Sequence, residues 1–268
     1  MPEGDTLHRT AATLGAALTG ELITAASARP WRSAPAIDAA SLVGRRVSGV
    51  RAEGKNLLVE LDDGRSVLTH LRMTGSWHLY QPGEKWWKPA SRARLVIENA
   101  RYVAVCFSAP VVELLTASAV RRHPGLTSLG PDILGDDFDA GAAAARFRAA
   151  DDLTIGDALL RQQLVSGIGN VYKSEVLFAV RLDPWTKVRD LSDPALTAIL
   201  GEVRTQMRKN LDGAPRRTVF EPRGERHWVY GRDRQPCLVC ARPVEMRRQG
   251  DAGRSTYFCR ACQKVTGG

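Results

Sequence analysis

The sequence has few aromatic residues and no long apolar segment. Phe, Trp and Tyr make up 6% of the 268 residues, and no apolar run approaches the roughly 20 residues that a membrane-spanning helix needs. The start also lacks the basic region followed by an apolar stretch that marks a secretory signal. We therefore expect a cytoplasmic protein without a membrane partner. A hydrophobic content of 44% predicts a buried core, and the length allows two domains.

The sequence has fewer acidic than basic residues, and most of this difference lies near the C-terminus. Asp and Glu number 29 against 38 Lys and Arg. The segment from Ala214 onward holds 12 basic and 5 acidic residues, and so carries most of the net charge of +9. Such a segment suits a polyanion, because each neutralised phosphate releases condensed counterions. A basic surface that only keeps the protein soluble explains the charge equally well.

The first third of the chain predicts one helix followed by short strands. Asp5 can cap the helix and Gly20 can end it; apolar residues recur at helical spacing at Leu7, Ala11, Leu14 and Leu18. The predicted strands are 57–61, 67–71, 95–97 and 103–107. The first two flank Asp62-Asp63-Gly64, a hairpin signal. Short strands joined by tight turns predict an antiparallel sandwich or barrel.

The second half of the chain predicts helices. Gly, Pro and Asp break both periodicities at 123–137, which we interpret as a linker. Helices are predicted at 138–149, at 155–165, at 171–180 with Asn170 as its cap, and after Ser192-Asp193-Pro194. One face of the last helix is apolar, formed by Leu196, Ile199, Leu200, Val203, Met207 and Leu211.

Four of the five cysteines form two C-x2-C pairs separated by the length of a β-hairpin: Cys237, Cys240, Cys259 and Cys262. This spacing predicts a tetrahedral zinc site. Disulfides are the alternative, but nothing else in the sequence indicates an oxidising compartment. The zinc would be structural, since four thiolates leave no open position for a substrate. Cys106 lies in a strand pattern and is expected to be a small buried hydrophobe.

Two glycine-rich turns could bring cationic or amide groups close to a phosphate. Gly167 and Gly169 precede Asn170 at the start of a predicted helix, whose free N–H groups favour an anion. Between the two cysteine pairs, a Gly-rich turn presents Arg254, whose guanidinium could donate two hydrogen bonds to a phosphate. An ordinary helix–helix turn and an ordinary exposed arginine explain the same residues.

The chain begins MPEG. Methionine before proline is normally removed, so we expect the mature chain to begin at Pro2. Because α-amino groups titrate near roughly 7.7–8.0, a terminal proline keeps a neutral fraction that can attack a sugar carbon and form an iminium ion. Glu3 could then transfer protons. The alternative is that Pro2 stiffens an exposed end and Glu3 favours the helix dipole.

Together these motifs resemble the family of formamidopyrimidine-DNA glycosylases and endonuclease VIII. The resemblance rests on MPEG at the start, GKNLL at 54–58, GIGNVYKSE at 167–175, and VYGR followed by a four-cysteine finger that ends CRACQ. It implies an α+β protein with a β-sandwich and N-terminal helix at 1–122, a linker at 123–137, a helix-two-turns-helix domain at 138–222 and a zinc finger at 223–268.

The resemblance also implies roles for single residues. Pro2 would be the Schiff-base nucleophile and Glu3 the acid/base, while Lys55 and Arg254 would contact phosphate close to the reacting nucleotide. Asn170 would hold phosphate at the helical turn. The segment HLRMTGSW at 70–77 aligns with the family's wedge, so Met73 would intercalate with Arg72 and Thr74 beside it. The expected partner is double-stranded damaged DNA, bound by a monomer associated with the nucleoid.

The expected reaction is removal of an oxidised base, followed by β,δ-elimination that cuts the strand. Formamidopyrimidine glycosylases usually carry a DPRRFG-like loop, which ENARYVAVCFSAPVVELL at 98–115 lacks. The endonuclease VIII branch also lacks this loop, and the opening MPEGDT and the segment RHWVYGR look more like that branch. We therefore expect oxidised pyrimidines such as thymine glycol and dihydrouracil as substrates. An 8-oxoguanine-type glycosylase with the same chemistry and a non-catalytic zinc-finger DNA-binding protein are the alternatives.

Overall fold

A computed structural model describes residues 2–31, 34–213, 215–221 and 224–264, which divide into two units between Ser128 and Leu129. The predicted linker at 123–137 spans this division. Helical residues Pro124–Thr127 belong to the first unit, whereas Ile133 and Leu134 are buried in the core of the second. None of the helices within the described ranges is long and apolar enough to cross a bilayer.

The first unit opens with helix α1, Gly4–Leu18, whose buried face includes Leu7 and Leu14 as the periodicity predicts. Gly20 adopts a φ of 84° just after the helix, which confirms it as the stop signal. The predicted cap is wrong. Glu3 occupies the N-cap position, and Asp5 lies buried in the first turn.

Two four-stranded antiparallel sheets follow, with strand orders β1-β6-β7-β5 and β2-β3-β4-β8. Their strands are β1 (Ala25–Ala28), β2 (Val47–Glu53), β3 (Asn56–Leu61), β4 (Ser66–His70), β5 (Ser76–Tyr80), β6 (Ala93–Glu98), β7 (Val103–Phe107) and β8 (Val111–Leu115). Apolar side chains of both sheets and of α1 share one core, so the predicted sandwich is confirmed. Cys106 is fully buried in that core, where burial raises the pKa of its thiol.

All four predicted strands are central strands of the two sheets, and the predicted hairpin forms with Gly64 at a φ of 81°. Sequence periodicity missed β1, β2, β5 and β8, which are the four edge strands. Short helices α2 (Ala117–Arg122) and α3 (Pro124–Thr127) complete the first unit.

The second unit is helical and ends in a β-hairpin. Its elements are α4 (Ala140–Arg148), α5 (Ile155–Ala158), α6 (Asn170–Ala179), α7 (Asp193–Arg208), β9 (Glu245–Gln249) and β10 (Arg254–Phe258). Ser192 caps α7 as predicted, by accepting the N–H of Ala195. Leu211 does not belong to the apolar face of α7, because it follows the end of the helix and is 39% exposed.

The helix predicted at 155–165 ends at Ala158. The amide of Gln162 holds the loop that replaces the predicted last turns. Its Nε2 donates to the carbonyls of Leu160 and Ile168, both at 3.0 Å, and its Oε1 accepts the N–H of Gly167 at 3.0 Å.

A buried carboxylate joins α6 to the segment that leads into the finger. Glu175 is fully buried and accepts the backbone N–H groups of Trp228, Val229 and Tyr230 at 2.7–2.9 Å, together with the hydroxyl of Thr218. A buried charge is stable only when its lone pairs are filled, so this carboxylate fixes the path of residues 228–230.

Replacing this carboxylate by its amide is expected to destabilise the second unit. Glu175→Gln substitutes an NH2 donor for an oxygen that faces N–H donors, which should lower the free energy of unfolding by about 1–3 kcal/mol. Urea unfolding followed by circular dichroism measures the change. Glu202→Gln on α7, whose carboxylate accepts only from Gln206 among the bonds identified, is the matched control, and an equal loss in both variants would contradict the assignment.

Candidate functional site

The start of α1 places an imino acid and a carboxylate next to each other. Pro2 is half-buried and Glu3 is fully buried. The carbonyl of Glu3 accepts the N–H groups of Thr6 and Leu7 at 2.9 and 3.2 Å, whereas its side chain makes no cap bond. Burial of a carboxylate is costly unless it is hydrogen-bonded, so Glu3 is held by the fold and is not a solvated surface group.

Lys55 lies at the same end of the first unit as the start of α1. The N–H of Gly20, after the helix, bonds the carbonyl of Val47 at the start of β2, and Gly15 faces Val50. The helix and the strand therefore run in opposite directions. From Gly20 back to Glu3 is about 25 Å at helical rise, and from Val47 to Lys55 is about 26 Å along an extended strand.

The segment that follows β4 reaches this end as well. Strand pairing places His70 opposite Asn56, directly after Lys55. Residues 71–75 then turn, and Arg72 takes a φ of 46° while its N–H donates to His70 Nδ1 at 3.1 Å. Pro2, Glu3, Lys55, Arg72 and Met73 thus share one end of the first unit.

Met73 lies in this turn and not in a strand, and it is 64% exposed. The base of the turn is fixed. Thr74 Oγ1 donates to the carbonyl of Ser108 at 3.1 Å, and a Cβ on Gly75 would lie 2.6 Å from the carbonyl oxygen of Leu71. Only glycine fits at position 75, so the turn holds Met73 outward on a rigid support.

Sequence reasoning missed His70. Burial, and then the charges of Arg72 and Lys55, lower the pKa of its imidazole. The ring is therefore neutral at physiological pH, and since Nδ1 accepts a hydrogen bond, we assign the proton to Nε2. The only signal in the sequence is a histidine that ends a strand directly before a cationic turn.

Asn170 does not cap α6 as predicted. Gly169 occupies the N-cap position, and Asn170 is the first helical residue, following Gly167 at a φ of 96°. The amide of Asn170 donates instead to the carbonyl of Ser255 at 2.6 Å. Lys173, one turn later and fully buried, donates to Thr256 Oγ1 at 2.6 Å. The glycine-rich turn is thereby tied to β10.

Arg254, the first residue of β10, is exposed, and it directly precedes Ser255, the partner of Asn170. The hairpin that carries it is pressed onto α5. A Cβ on Gly250, which has a φ of 65°, would lie 2.2 Å from Asp157 Oδ1, and Gln249 Nε2 donates to Thr154 Oγ1 at 2.8 Å. The structure therefore brings Asn170 and Arg254 together within the second unit.

The four predicted metal ligands form one cluster. Their sulfur atoms all lie within 4.8 Å of one another, with 3.9 Å between Cys237 and Cys262 and 3.5 Å between Cys240 and Cys259. A tetrahedral zinc with bonds of about 2.3 Å separates its sulfurs by about 3.8 Å, whereas a disulfide needs about 2 Å. The backbone N–H of Arg242 lowers the pKa of Cys240 to about 7, whereas burial raises the pKa values of Cys259 and Cys262. The cluster fits a structural zinc ion and excludes the disulfide alternative.

The finger has a small core of its own, which includes Phe178 of α6, Val229, Val244 and two of the cysteines. Phe178 stacks on Trp228 with ring centroids 5.8 Å apart. So few apolar side chains cannot offset the entropy of ordering the finger, and the metal must supply the difference.

Removal of zinc with a chelator is therefore expected to unfold the finger and leave the helices intact. Hydrogen exchange should show lost protection for amides at 237–262 and retained protection in α4 and α7, and added zinc should restore the finger. Binding to duplex DNA, measured by gel shift on the same samples, should fall with the finger. Protection or binding that survives in metal-free protein would contradict the zinc's structural role.

Three family models match the chain in succession. The formamidopyrimidine-DNA glycosylase N-terminal domain matches residues 1–108, the H2TH domain of the same enzymes matches 129–219, and the zinc finger found in FPG and IleRS matches 234–265.

Curated relatives match over nearly the full length. A Streptomyces coelicolor protein named "Probable endonuclease 8 2" is 38% identical over 98% of this chain and 94% of its own. A Mycolicibacterium smegmatis protein named DNA-(apurinic or apyrimidinic site) lyase Nei2 is 34% identical over 99% of this chain and all of its own.

Solved structures share the fold. The Thermus thermophilus MutM (Fpg) protein superposes with a TM-score of 0.79 at 27% identity, over 99% of this chain and 100% of that one. Lactococcus lactis Fpg, in a complex with DNA that contains N7-benzyl-Fapy-dG, gives a TM-score of 0.81 at 24% identity, over 98% and 100%. The predicted fold and resemblance are confirmed, and the chain belongs to the formamidopyrimidine-DNA glycosylase and endonuclease 8 family.

Proposed function

We propose that this protein is a bifunctional DNA glycosylase and AP lyase of base-excision repair, acting on oxidised pyrimidines. The observation that carries the proposal is the full-length likeness to relatives named endonuclease 8 and AP lyase, in a chain that keeps Pro2 beside a fully buried Glu3. We infer a cytoplasmic, nucleoid-associated monomer that binds double-stranded damaged DNA.

Pro2 is the nucleophile in this proposal. The damaged nucleotide is flipped out of the duplex, because C1′ cannot be reached while its base is stacked. The proline nitrogen bonds to C1′, the glycosidic bond breaks, and the base leaves with the bonding electron pair and the proton of the nitrogen. The sugar ring then opens: the C1′–O4′ bond breaks, O4′ takes a proton from Glu3, and the nitrogen lone pair forms the C1′ iminium ion. The resulting iminium ion acidifies the C2′ proton, so that β-elimination breaks the bond to the 3′ phosphate and δ-elimination the bond to the 5′ phosphate. Glu3 transfers protons to and from the sugar.

Phosphate contacts hold the strand in position without reading its sequence. Lys55 and Arg72 present cations beside the start of α1, and the neutral His70 can donate from Nε2. In the second unit, Arg254 supplies a guanidinium, and Asn170 opens a helix whose N-terminus favours an anion. Exposed Met73, on its fixed turn, is suited to fill the gap that a flipped nucleotide leaves.

The connection between β7 and β8 supports the proposed preference for pyrimidine lesions. Residues 108–110 alone join the two strands, and Ser108 has a φ of 49°. The same residues support the Met73 turn, through the carbonyl of Ser108 and close contact of Ala109 with Gly75. This connection lacks the DPRRFG-like sequence by which formamidopyrimidine glycosylases probe the partner base.

Borohydride trapping tests the nucleophile. Incubation with duplex DNA that contains one abasic site should give a covalent adduct, since the iminium ion is reduced to a stable amine. Pro2→Gly and Glu3→Gln should lower the trapping rate by at least about 100-fold, the lower range for loss of an acid/base group.

The matched control is Glu21→Gln, the same change of carboxylate to amide beyond the far end of α1, which should trap at the wild-type rate. Absence of an adduct with wild-type protein, or undiminished trapping by both variants, would refute the proposed chemistry. Mass spectrometry of the wild-type protein should find Pro2 as the first residue.

Lesion preference is tested by cleavage under single-turnover conditions. Duplexes containing thymine glycol or dihydrouracil should be cut at least about tenfold faster than one containing 8-oxoguanine opposite cytosine, which corresponds to about 1.4 kcal/mol of transition-state discrimination. An abasic duplex serves as the control for lyase activity. Faster cleavage of the 8-oxoguanine duplex would assign the protein to oxidised purines instead.

A further inference from the structure

A cluster of aromatic side chains lies outside both main cores, on the outer face of the sheet that contains β5, β6 and β7. Residues 81–92, which we call the Trp87 loop, connect β5 to β6 across this face. Trp86 covers the sheet, stacking on Tyr80 with centroids 6.1 Å apart and meeting Phe107 edge-on at 5.8 Å. The apolar surface of the sheet is therefore covered by Trp86.

Trp87 is 81% exposed, although it is held in place. Its backbone N–H donates to Tyr80 Oη at 3.2 Å, and its ring stands perpendicular to the ring of His78 at 5.6 Å. Lys88 Nζ donates to Ser76 Oγ at 2.7 Å and so fixes the next residue. A tryptophan that is 81% exposed keeps at least one face of its ring open, and the contact with His78 restricts how the ring can turn.

The surroundings of Trp87 are cationic. Lys85, Lys88 and Arg92 lie on the same loop, against one carboxylate at Glu84. Among the described residues, Trp87 is the one large exposed hydrophobic in the segment 74–128. A protein interface is built on a contiguous apolar patch, whereas an aromatic face flanked by cations is the arrangement that stacks unpaired nucleobases and neutralises their phosphates.

The position of the Trp87 loop also favours DNA as its partner. Ser76, which Lys88 contacts, directly follows Gly75 of the Met73 turn. The Trp87 loop therefore lies beside the segment that is suited to enter the base stack. From these observations we infer that Trp87 and Lys88 form a stacking platform for an unpaired nucleotide of the bound DNA, an inference that rests on the proposed function. The platform should therefore strengthen binding to a lesion that lies in locally unpaired DNA.

The test compares two substrates that carry the same abasic site, one fully paired and one in a bubble of unpaired nucleotides. Trp87→Ala should raise the protein concentration for half-maximal borohydride adduct on the bubble by at least about fivefold, the loss expected for one stacked base. On the duplex it should change this concentration less than twofold. Trp87→Phe should keep most of the bubble affinity, and Val43→Ala, at a residue 46% exposed, should match wild type on both substrates.

A binding measurement separates this inference from the proposed chemistry. Single-stranded oligothymidylate should quench tryptophan fluorescence in wild-type protein, and Trp87→Ala should remove most of the quenching. If oligothymidylate quenches the fluorescence of Trp87 but no covalent adduct forms, the platform is supported and the lyase activity is refuted. Adduct formation in which Trp87→Ala weakens both substrates equally, or neither, would overturn the platform. A dimer in sedimentation that Trp87→Ala dissolves would also overturn it, by assigning the face to a second copy.

Discussion

The antiparallel packing of α1 along β2 is the constraint on which the proposed site in the first unit depends. A nucleophile made from a chain terminus has no strand or helix before it to fix its position. Here a helix with a buried apolar face supplies that position, because its length matches the strand that ends near Lys55. The register of β3 and β4 then brings His70 and Arg72 to the same end. Ordinary core packing thereby assembles groups that lie far apart in sequence.

Buried polar contacts play the corresponding part in the second unit. Asn170 and Lys173 reach from α6 to the backbone and hydroxyls of β10, and Gln249 reaches from the hairpin to α5. Glu175 gathers three backbone donors of the segment that enters the finger. These bonds connect helices to a metal-stabilised hairpin that is too small to form an extensive core.

Sequence predicted the central strands and missed the edges for a physical reason. β3, β4, β6 and β7 are covered by neighbours on both sides and read as apolar or β-branched runs, whereas edge strands such as β1 keep exposed positions that weaken the pattern. Motifs located the candidate residues, including the zinc ligands. They could not show that Asn170 bonds β10 in place of capping its helix, or that His70 lies beside Lys55, because both facts depend on contacts between distant segments.

The tight contact between Gly250 and Asp157 limits how the finger can change in length. No residue with a side chain fits at position 250, since no atom larger than hydrogen fits between Gly250 and Asp157. A single residue inserted or deleted between Gln249 and Arg254 would slip the pairing of β9 and β10 and turn the arginine to the opposite face of the ribbon. Functional fingers of this type are thus expected to keep the length of the hairpin tip.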